Sequence, residues 1–270
     1  AMTDFMAVGQ QVARECGRVL LEMRGSINPQ VKAPKDLVTE ADYRSQETAR
    51  RIVRDAFPAH RFLGEEDAAD VPDAPPAATG PDSEYCWIVD PLDGTLNYVR
   101  QLPNYCVSVA LRHGQQVLVG VVYDPIQDEC FSAELGGGAL LNGRPIHVSK
   151  CEHVDQALIA ASLPTVVPRN SPEVARFIEV MHSAQAIRRL GSAALSLCYV
   201  ACGRLDAYWA TCVKVWDVAA GQLIVREAGG MLSRPEGTPF ELDRPQFVTA
   251  ATPQLHSQLL EVLRCAAGRC

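Results

Sequence analysis

The sequence lacks the long hydrophobic runs, the paired cysteines and the excess of positive charge that mark several common protein classes. No apolar run approaches the ~18 residues that a membrane span needs, and the first residues lack the basic and apolar segments of a secretory signal. We therefore expect a protein that works without a membrane.

The chain is rich in cysteine, but the spacing of the cysteines does not indicate disulfide or metal-binding pairs. The chain has 10 cysteines, none in a Cys-x-x-Cys pair, and it has no Asn-x-Ser/Thr sequon. Several cysteines lie inside apolar runs, where a free thiol behaves as a small hydrophobic group. The 6 histidines show no zinc-binding spacing. These features predict free thiols and a reducing, cytoplasmic location.

The chain is acidic. Its 25 basic and 32 acidic side chains give a net charge of −7, and the pI is near 5.4. A nucleic-acid backbone is therefore not an expected partner. An acidic protein that acts on an anionic substrate needs a local source of positive charge.

The hydrophobic pattern predicts mixed α/β structure in a chain of 270 residues, which is long enough for one large or two medium domains. Helices are predicted at 5–23 and about 39–56, and a surface loop at 67–84. Short strands follow at 86–89, 106–112, 117–123 and 129–133, and the Gly136–Gly138 stretch is predicted to be a tight hairpin turn. Beyond it, strands at 158–162, 206–211 and 247–251 alternate with helices at 172–183, 192–202, 217–228 and 253–264. This order predicts two layered subdomains joined near residue 150.

The sharpest motif is W-I-V-D-P-L-D-G-T-L-N at 87–97. An apolar strand ends at Asp90, Asp93 follows, and Gly94 and Thr95 open a short helix. Two carboxylates then lie beside unpaired backbone N–H groups, which suits a divalent cation next to a phosphate. The alternative is an Asp-Pro turn in which Asp93 is a plain N-cap.

Three further acidic segments also lie at the end of an apolar run or at the start of a predicted helix. Glu65 follows a short apolar run, Asp217 precedes an apolar helix, and Thr39 and Asp42 form a T-x-x-D pattern. Each has a structural alternative: a solvated loop pair, an N-cap and a capping box, respectively.

Taken together, these segments resemble the inositol monophosphatase-like family of metal-dependent phosphatases. The resemblance spans about residues 5 to 260. It rests on D-L-V-T-x-A-D (36–42), G-E-E (64–66), D-P-L-D-G-T-x-N (90–97), G-V-V-Y-D-P (120–125), G-G-G-A (136–139), L-N-G-R-P-I (141–146), G-S-A-A (191–194), W-D-x-A-A-G (216–221) and E-A-G-G (227–230).

The resemblance implies a layered αβαβα sandwich, with an α+β half at 1–148 and an α/β half at 149–270. It also implies a homodimer and inhibition by lithium. The expected substrate is a small phosphorylated alcohol, most simply myo-inositol monophosphate. Histidinol phosphate and 3′-phosphoadenosine nucleotides are alternative substrates, and a non-catalytic, ligand-binding member of the family is the alternative of another class.

Residue roles follow from the same resemblance. Glu65, Asp90 and the carbonyl of Leu92 resemble ligands of one Mg²⁺, and Asp90, Asp93 and Asp217 resemble ligands of a second, with a weaker third ion at Glu65. Thr95, backed by Asp42, resembles the pair that orients and deprotonates the attacking water. The N–H groups of Gly94 and Thr95 are expected to hold the phosphate beside Asp93, and a further segment to face the alcohol, namely Gly191, Ser192 and Ala193.

Charge supports such a site. Carboxylates ~4 Å apart repel by ~4 kcal/mol at an effective dielectric near 20, so four of them converge favourably only around cations. The protein then brings its positive charge as metal. One position departs from the family pattern, since Ala210 stands where inositol phosphatases carry a glutamate that bonds substrate hydroxyls. Lys214 is predicted to be a solvated surface residue, with contact to a polar substrate group as the alternative.

Overall fold

The computed structural model describes residues 4–26, 29–33, 36–70, 85–266 and 268. The helices in this part of the chain are α1 (Phe5–Met23), α2 (Glu40–Ala56), α3 (Thr95–Val99), α4 (Pro172–Ser183), α5 (Ala193–Ala201), α6 (Val215–Glu227) and α7 (Pro253–Ala266). Short 3₁₀ helices lie at Glu65–Asp70 and Val154–Gln156. Most of the predicted surface loop, 71–84, lies outside the described residues.

The strands of the described residues form three sheets. They are β1 (Gln30–Ala33), β2 (Asp36–Val38), β3 (Arg61–Gly64), β4 (Tyr85–Asp93), β5 (Cys106–His113), β6 (Gln116–Asp124), β7 (Glu129–Glu134), β8 (Gly138–Leu141), β9 (Arg144–Pro145), β10 (Leu158–Ser162), β11 (Ala186–Arg188), β12 (Ala207–Ala210), β13 (Met231–Ser233) and β14 (Phe247–Ala250).

The large sheet has strand order β3-β4-β5-β6-β7-β8-β9, and every neighbouring pair after the parallel β3–β4 is antiparallel. The second sheet has order β11-β10-β12-β14-β13, in which β10 runs parallel to β11 and β12. Strands β1 and β2 form a separate hairpin.

The helices lie in three layers around the two large sheets. Helices α1 and α2 cover the outer face of the large sheet, α5 and α6 fill the space between the sheets, and α4 and α7 cover the outer face of the second sheet. The layered αβαβα sandwich is therefore confirmed. The division of the chain at residue 148 stays a prediction.

Strand β4 shows why its sequence is apolar throughout. Trp87 and Val89 pack beneath α1 and α2, whereas Cys86 and Ile88 pack toward the middle layer. Because helices cover both faces of the strand, both sets of side chains are buried, and the sequence does not alternate with polar residues.

Helix α6 approaches the large sheet very closely. A Cβ added at Gly120 in β6 would lie 2.7 Å from the backbone oxygen of Ala220 in α6. Only glycine allows this contact, which fixes the height of α6 above the sheet.

The cysteines follow the prediction only in part. Within the described ranges eight are free thiols, namely Cys16, Cys86, Cys106, Cys130, Cys151, Cys198, Cys202 and Cys212. Cys265 in α7 is disulfide-bonded, so the expectation of free thiols throughout is wrong there. None of the helices described is long and apolar enough to cross a bilayer.

Candidate metal centre

The end of β4 brings Asp90 and Asp93 together. Asp90 is paired with Ser108 of β5 and Asp93 with Cys106, so three steps along β4 match two along β5. This extra residue is a β-bulge, which resets the alternation of side chains between the two faces. Two carboxylates three residues apart therefore reach the same site.

Asp217 enters from the middle layer. It is the third residue of α6, and its Oδ2 accepts a hydrogen bond of 2.7 Å from the backbone N–H of Lys214, the N-cap. The alternative of Asp217 as an N-cap is wrong, because Val215 and Trp216 already belong to the helix. One oxygen each of Asp90, Asp93 and Asp217 lies within 4.8 Å of the others.

These three carboxyl groups all have raised pKa values. Burial is the main cause, and repulsion between the carboxylates adds to it at Asp90 and Asp217. The pKa of Asp217 rises to about 7, with hydrogen bonds from Lys214 and Asp90 acting in the opposite direction. A buried group of oxygen ligands that resists ionisation by itself fits a hard divalent cation, whose charge would reverse the repulsion.

Glu65 lies beside this group, in the 3₁₀ helix after β3. Burial, together with the charges of Asp217 and other neighbouring acids, raises its pKa to about 8, against the opposing charge of Lys32. Its Oε1 is 3.4 Å from Lys32 Nζ. Glu65 is not a member of the three-carboxylate group that lies within 4.8 Å.

Lys32 and Glu66 form a pair that the sequence did not reveal. Lys32 Nζ, on β1, donates to both oxygens of the buried Glu66 at 3.0 and 3.2 Å. In the sequence, the only feature that marks Glu66 is its place in the Glu-Glu pair of the G-E-E motif. Nothing in the sequence joined that pair to a lysine 34 positions earlier.

Asp42 and Thr95 meet across the edge of the site. Asp42 Oδ2 accepts from the N–H and hydroxyl of Thr39 at 2.8 and 2.6 Å, so the predicted capping box is present. Its Oδ1 lies 3.3 Å from Thr95 Oγ1, which is also 3.2 Å from the carbonyl oxygen of Leu92. Burial raises the pKa of Asp42 to about 6. The capping role and contact with Thr95 thus coexist in one carboxylate.

Gly94 connects β4 to α3 with φ of +97° and is the N-cap of that helix. A Cβ there would lie 3.0 Å from the carbonyl oxygen of Asn104, so both the backbone conformation and the packing require glycine. Asp93 is therefore not the cap of α3. The backbone N–H groups of a first helical turn have no acceptor within the helix, and Gly94 and Thr95 place this turn next to the carboxylates.

The segment 191–193 reaches the site from α5. Ser192 is the N-cap of α5, and its hydroxyl donates to Asp93 Oδ2 at 2.5 Å, while the Ala194 N–H donates to the same oxygen at 2.7 Å. Ser192 and Ala193 are buried and Gly191 is exposed. The structure thus places the Ser192 side chain on a carboxylate, a contact that sequence reasoning missed.

Three further features singled out in the sequence are Ala210, Lys214 and the Gly136–Gly138 turn. Ala210 is fully buried at the end of β12 and offers no hydrogen-bonding side chain, and Lys214 is exposed. The predicted hairpin turn at Gly136–Gly138 is confirmed between the antiparallel β7 and β8, and the N–H groups of Gly136 and Gly138 donate to the Glu227 carboxylate at 2.8 and 2.9 Å.

Comparison with known proteins agrees with this geometry. The model of the inositol monophosphatase family matches residues 1–267. Inositol monophosphatase 1 of Solanum lycopersicum is 37% identical over 98% of this chain and 96% of its own length. Nus factor SuhB of Haemophilus influenzae is 38% identical over 99% and 98% of the two chains.

Among solved structures, an inositol monophosphatase from Anabaena (Nostoc) superposes with a TM-score of 0.83 at 34% identity, over 97% of this chain and 95% of that one. Sequence and fold agree over almost the whole length. The chain belongs to the inositol monophosphatase family, phosphatases that hydrolyse phosphomonoesters.

Proposed function

We propose that the protein hydrolyses a small phosphorylated alcohol, myo-inositol monophosphate first, with Mg²⁺ as its cofactor. The observation that carries this proposal is the group of three carboxylates within 4.8 Å of one another, two of them buried and Asp217 half-buried, beside the Asp42–Thr95 contact. A purely structural cluster of this kind would leave buried acidic groups whose ionisation weakens the fold.

In this proposal Asp90, Asp93 and Asp217 would hold one Mg²⁺, Asp90, Glu65 and the Leu92 carbonyl would hold another, and Glu65 would also serve a more weakly held third ion. Bound Mg²⁺ supplies charge for the phosphate and lowers the pKa of the attacking water. Asp90 Oδ1 accepts a hydrogen bond from the Leu92 N–H at 3.0 Å, so the Asp90 carboxylate and the Leu92 backbone are held together by one local turn.

We assign the transfer of a proton from the attacking water to Thr95 and Asp42. The Thr95 hydroxyl orients the water, and Asp42 accepts the proton that passes through that hydroxyl at Oδ1. A carboxyl with a pKa of about 6 is largely ionised at neutral pH and is a suitable base. The N–H groups of Gly94 and Thr95 bind phosphate oxygens.

Substrate choice depends on the alcohol side of the site, which we assign to Gly191, Ser192 and Ala193. Relatives named inositol monophosphatases support inositol monophosphate. Ala210 offers no side-chain acceptor for a substrate hydroxyl, so histidinol phosphate and 3′-phosphoadenosine nucleotides stay as alternative substrates.

A second candidate function is the binding of a macromolecular partner. It is favoured by the relatives named Nus factor SuhB, one of them 38% identical. Experiment can separate hydrolysis from partner binding, since binding of a partner can be measured with a folded variant that has lost hydrolysis.

Three further properties complete the proposal. A homodimer is supported by the exposed Leu96 in α3 and Leu102 three residues beyond its end, which are 55% and 53% exposed. A cytoplasmic location is supported by the eight free thiols among the described residues, against one disulfide-bonded cysteine, Cys265. Inhibition by lithium would follow if Li⁺ replaced one Mg²⁺.

The test is phosphate release from a substrate panel with Mg²⁺ and with EDTA. The panel holds inositol 1-phosphate, histidinol phosphate, 3′-phosphoadenosine 5′-phosphate, fructose 1,6-bisphosphate and glycerol 2-phosphate. We expect inositol 1-phosphate to exceed the others by about a hundredfold in kcat/KM, ~2.7 kcal/mol of transition-state discrimination. Another substrate leading by that margin would reassign the alcohol, and no Mg²⁺-dependent release from any would contradict hydrolysis.

A further inference from the structure

A cavity on the far side of the second sheet is separate from the metal centre. It has a volume of about 230 Å³ and is lined by Arg176 of α4, Trp209 of β12, Val248 of β14 and Leu263 and Arg264 of α7, together with Thr211 just after β12 and the segment 235–236. Along β12, Tyr208 and Ala210 pack into the middle layer, whereas Trp209 packs with α7 in the outer layer. The strand therefore divides the cavity from the carboxylates.

The Trp209 indole is the central feature of this cavity. The side chain is 1% exposed, and no acceptor for its Nε1–H is found among the described residues. A buried N–H group without an acceptor is unfavourable, and such groups in native proteins are usually satisfied by a ligand or an ordered water. In contrast, Trp87 Nε1 in the first sheet donates to His60 Nδ1 at 3.1 Å.

Two arginines bring positive charge to the cavity. Arg176 donates through Nη1 to Glu173, which also accepts from the Thr211 hydroxyl at 2.8 Å. This arrangement holds the guanidinium in place and leaves most of its five N–H donors for other acceptors. Arg264 is an exposed residue that lines the mouth of the cavity; it donates only weakly to the Leu260 carbonyl at 3.5 Å, and no ion pair to it is found within the described part of the chain.

The rest of the lining is apolar or already paired. Val248, Leu263 and Pro235 supply hydrocarbon surface, and the acidic Glu236 lies 3.6 Å from Arg234 with its side chain 55% exposed. The cavity thus offers one buried neutral donor, two cations and apolar walls, in a volume smaller than the pocket of a drug-sized ligand.

We propose that this cavity binds a small carboxylate with an apolar body, its oxygens accepting from Trp209 Nε1–H and the Arg264 guanidinium. A carboxylate satisfies both donors with two oxygens and leaves its hydrocarbon part for Val248 and Leu263. Inorganic phosphate carries more charge and has no apolar part to place there. The site is distinct from the phosphatase reaction and does not depend on it.

The test uses the full-length protein with ¹⁵N-labelled tryptophan, titrated with benzoate as the probe. The three tryptophans give three indole N–H resonances, and Trp209→Phe, which keeps an aromatic ring, assigns the one that matters. We expect benzoate to move the Trp209 resonance downfield and saturably, with a Kd in the millimolar range, on the order of 1 mM. The Trp87 and Trp216 resonances serve as internal controls for folding and for general effects.

Two matched comparisons, one between variants and one between ligands, test whether the charge of Arg264 and of the carboxylate drives binding. Arg264→Gln should weaken benzoate about tenfold, the loss of one charge-assisted hydrogen bond, whereas Arg51→Gln on the exposed face of α2 should not. Benzamide, of similar shape without the charge, should bind more weakly than benzoate. No saturable shift of Trp209, an equal response to benzamide, or an unchanged Kd in Arg264→Gln would each overturn the proposal, as would inorganic phosphate moving the resonance as strongly as benzoate.

Discussion

Ser192 donates its hydroxyl hydrogen to Asp93 across 2.5 Å, although 99 positions separate the two residues in the chain. The bond joins the start of α5 to the end of β4, and the N–H of Ala194 reinforces it at 2.7 Å. Both donors end on Oδ2, so they fix how the Asp93 carboxylate is turned relative to Asp90 and Asp217. They also oppose burial, which is the main cause of its raised pKa.

Ser192→Ala should therefore weaken metal binding more than it changes the fold. Without the hydroxyl, the ionised form of Asp93 loses a donor and its pKa rises further. Loss of such a supporting hydrogen bond usually costs about 10-fold or more in metal affinity. We expect the Mg²⁺ concentration for half-maximal activity to rise by about that factor, and the defect to shrink as the pH is raised.

Ser196→Ala is the control for this change. Ser196 is equally buried, but its hydroxyl donates to the carbonyl of Ser192 at 2.7 Å and not to a carboxylate. An equal Mg²⁺ defect in both variants, independent of pH, would mean that packing of α5 and not the Asp93 bond is responsible.

Thr95→Ala should lower kcat with little change in Mg²⁺ affinity, because the proposed role of its hydroxyl is to orient the attacking water. Loss of a general acid–base contact typically costs 10²–10⁴-fold in rate. Thr95→Ser keeps the hydroxyl 3.3 Å from Asp42 and should recover most of the activity. Steady-state kinetics at saturating Mg²⁺ decides the matter, and an unchanged kcat in the alanine variant would remove Thr95 from the reaction.

Asp90→Asn should abolish hydrolysis and leave the fold intact. The pKa of Asp90 is raised well above its ordinary value, chiefly by burial, so without metal the carboxyl is held in a neutral form that asparagine closely resembles. We expect a metal-free melting temperature equal to or above that of the wild type, no stabilisation by Mg²⁺, and at least a 10³-fold loss of kcat/KM.

Asp155→Asn is the matched control, since Asp155 is an exposed carboxylate in the 3₁₀ helix 154–156. It should retain full activity and full stabilisation by Mg²⁺. A folded Asp90→Asn protein with activity close to that of the control would refute the proposed ligand role.

Much of the fold and the acidic residues of the candidate site could be predicted from the sequence, because each acidic residue stands beside a strong local signal. Asp90 follows the apolar run 86–89, Asp42 completes a capping box, and Asp217 lies in the first turn of an apolar helix; the predicted end of the strand at Asp90 was wrong, since β4 continues through a register shift to Asp93. The exact place of Asp217, third in α6 rather than before it, was missed since apolar Val215 and Trp216 gave no start signal.

The parts that escaped prediction depend on contacts between distant segments. The bonds of Lys32 with Glu66 and of Ser192 with Asp93 have no local pattern. The same holds for Asn97, which donates to the carbonyl of Leu190 at 2.9 Å and ties α3 to the segment before Gly191. Strands β1, β2, β11 and β13 have only three or four residues, too few for an alternation of polar and apolar side chains to be recognised.

Gly120→Ala should disturb the metal centre from a distance. The added Cβ would lie 2.7 Å from the Ala220 oxygen and 3.0 Å from its Cα, both backbone atoms of α6. Helix α6 must then move, and Asp217 moves with it. Overpacking of this kind costs about 1–3 kcal/mol, so we expect a lower melting temperature together with weaker Mg²⁺ binding.

Gly137→Ala is its control, because the atoms nearest to the added methyl, the Cβ and carbonyl oxygen of Glu134, both lie 3.3 Å away in an exposed turn and not in α6. Thermal unfolding with and without Mg²⁺ measures both effects. A Gly120→Ala protein that is less stable but binds Mg²⁺ normally would show that α6 does not fix the ligand geometry.

The metal-free protein should lose stability as the pH rises from 5 to 8. Folding raises the pKa of Asp217 to about 7 and that of Glu65 to about 8, mainly through burial, so the folded state binds more protons than the unfolded chain in this window. The unfolding free energy then falls with increasing pH.

Buried His256, whose pKa is lowered by burial, acts in the opposite direction, and for that reason wild type is compared with Asp217→Asn. In EDTA, we expect the melting temperature of the wild type to fall relative to the variant by several degrees, equivalent to ~1–2 kcal/mol. Saturating Mg²⁺ should remove this difference in slope, because the cation stabilises the ionised carboxylates. Parallel melting curves for the two proteins across the whole range in EDTA would contradict the shifted pKa of Asp217 and the electrostatic basis of the site.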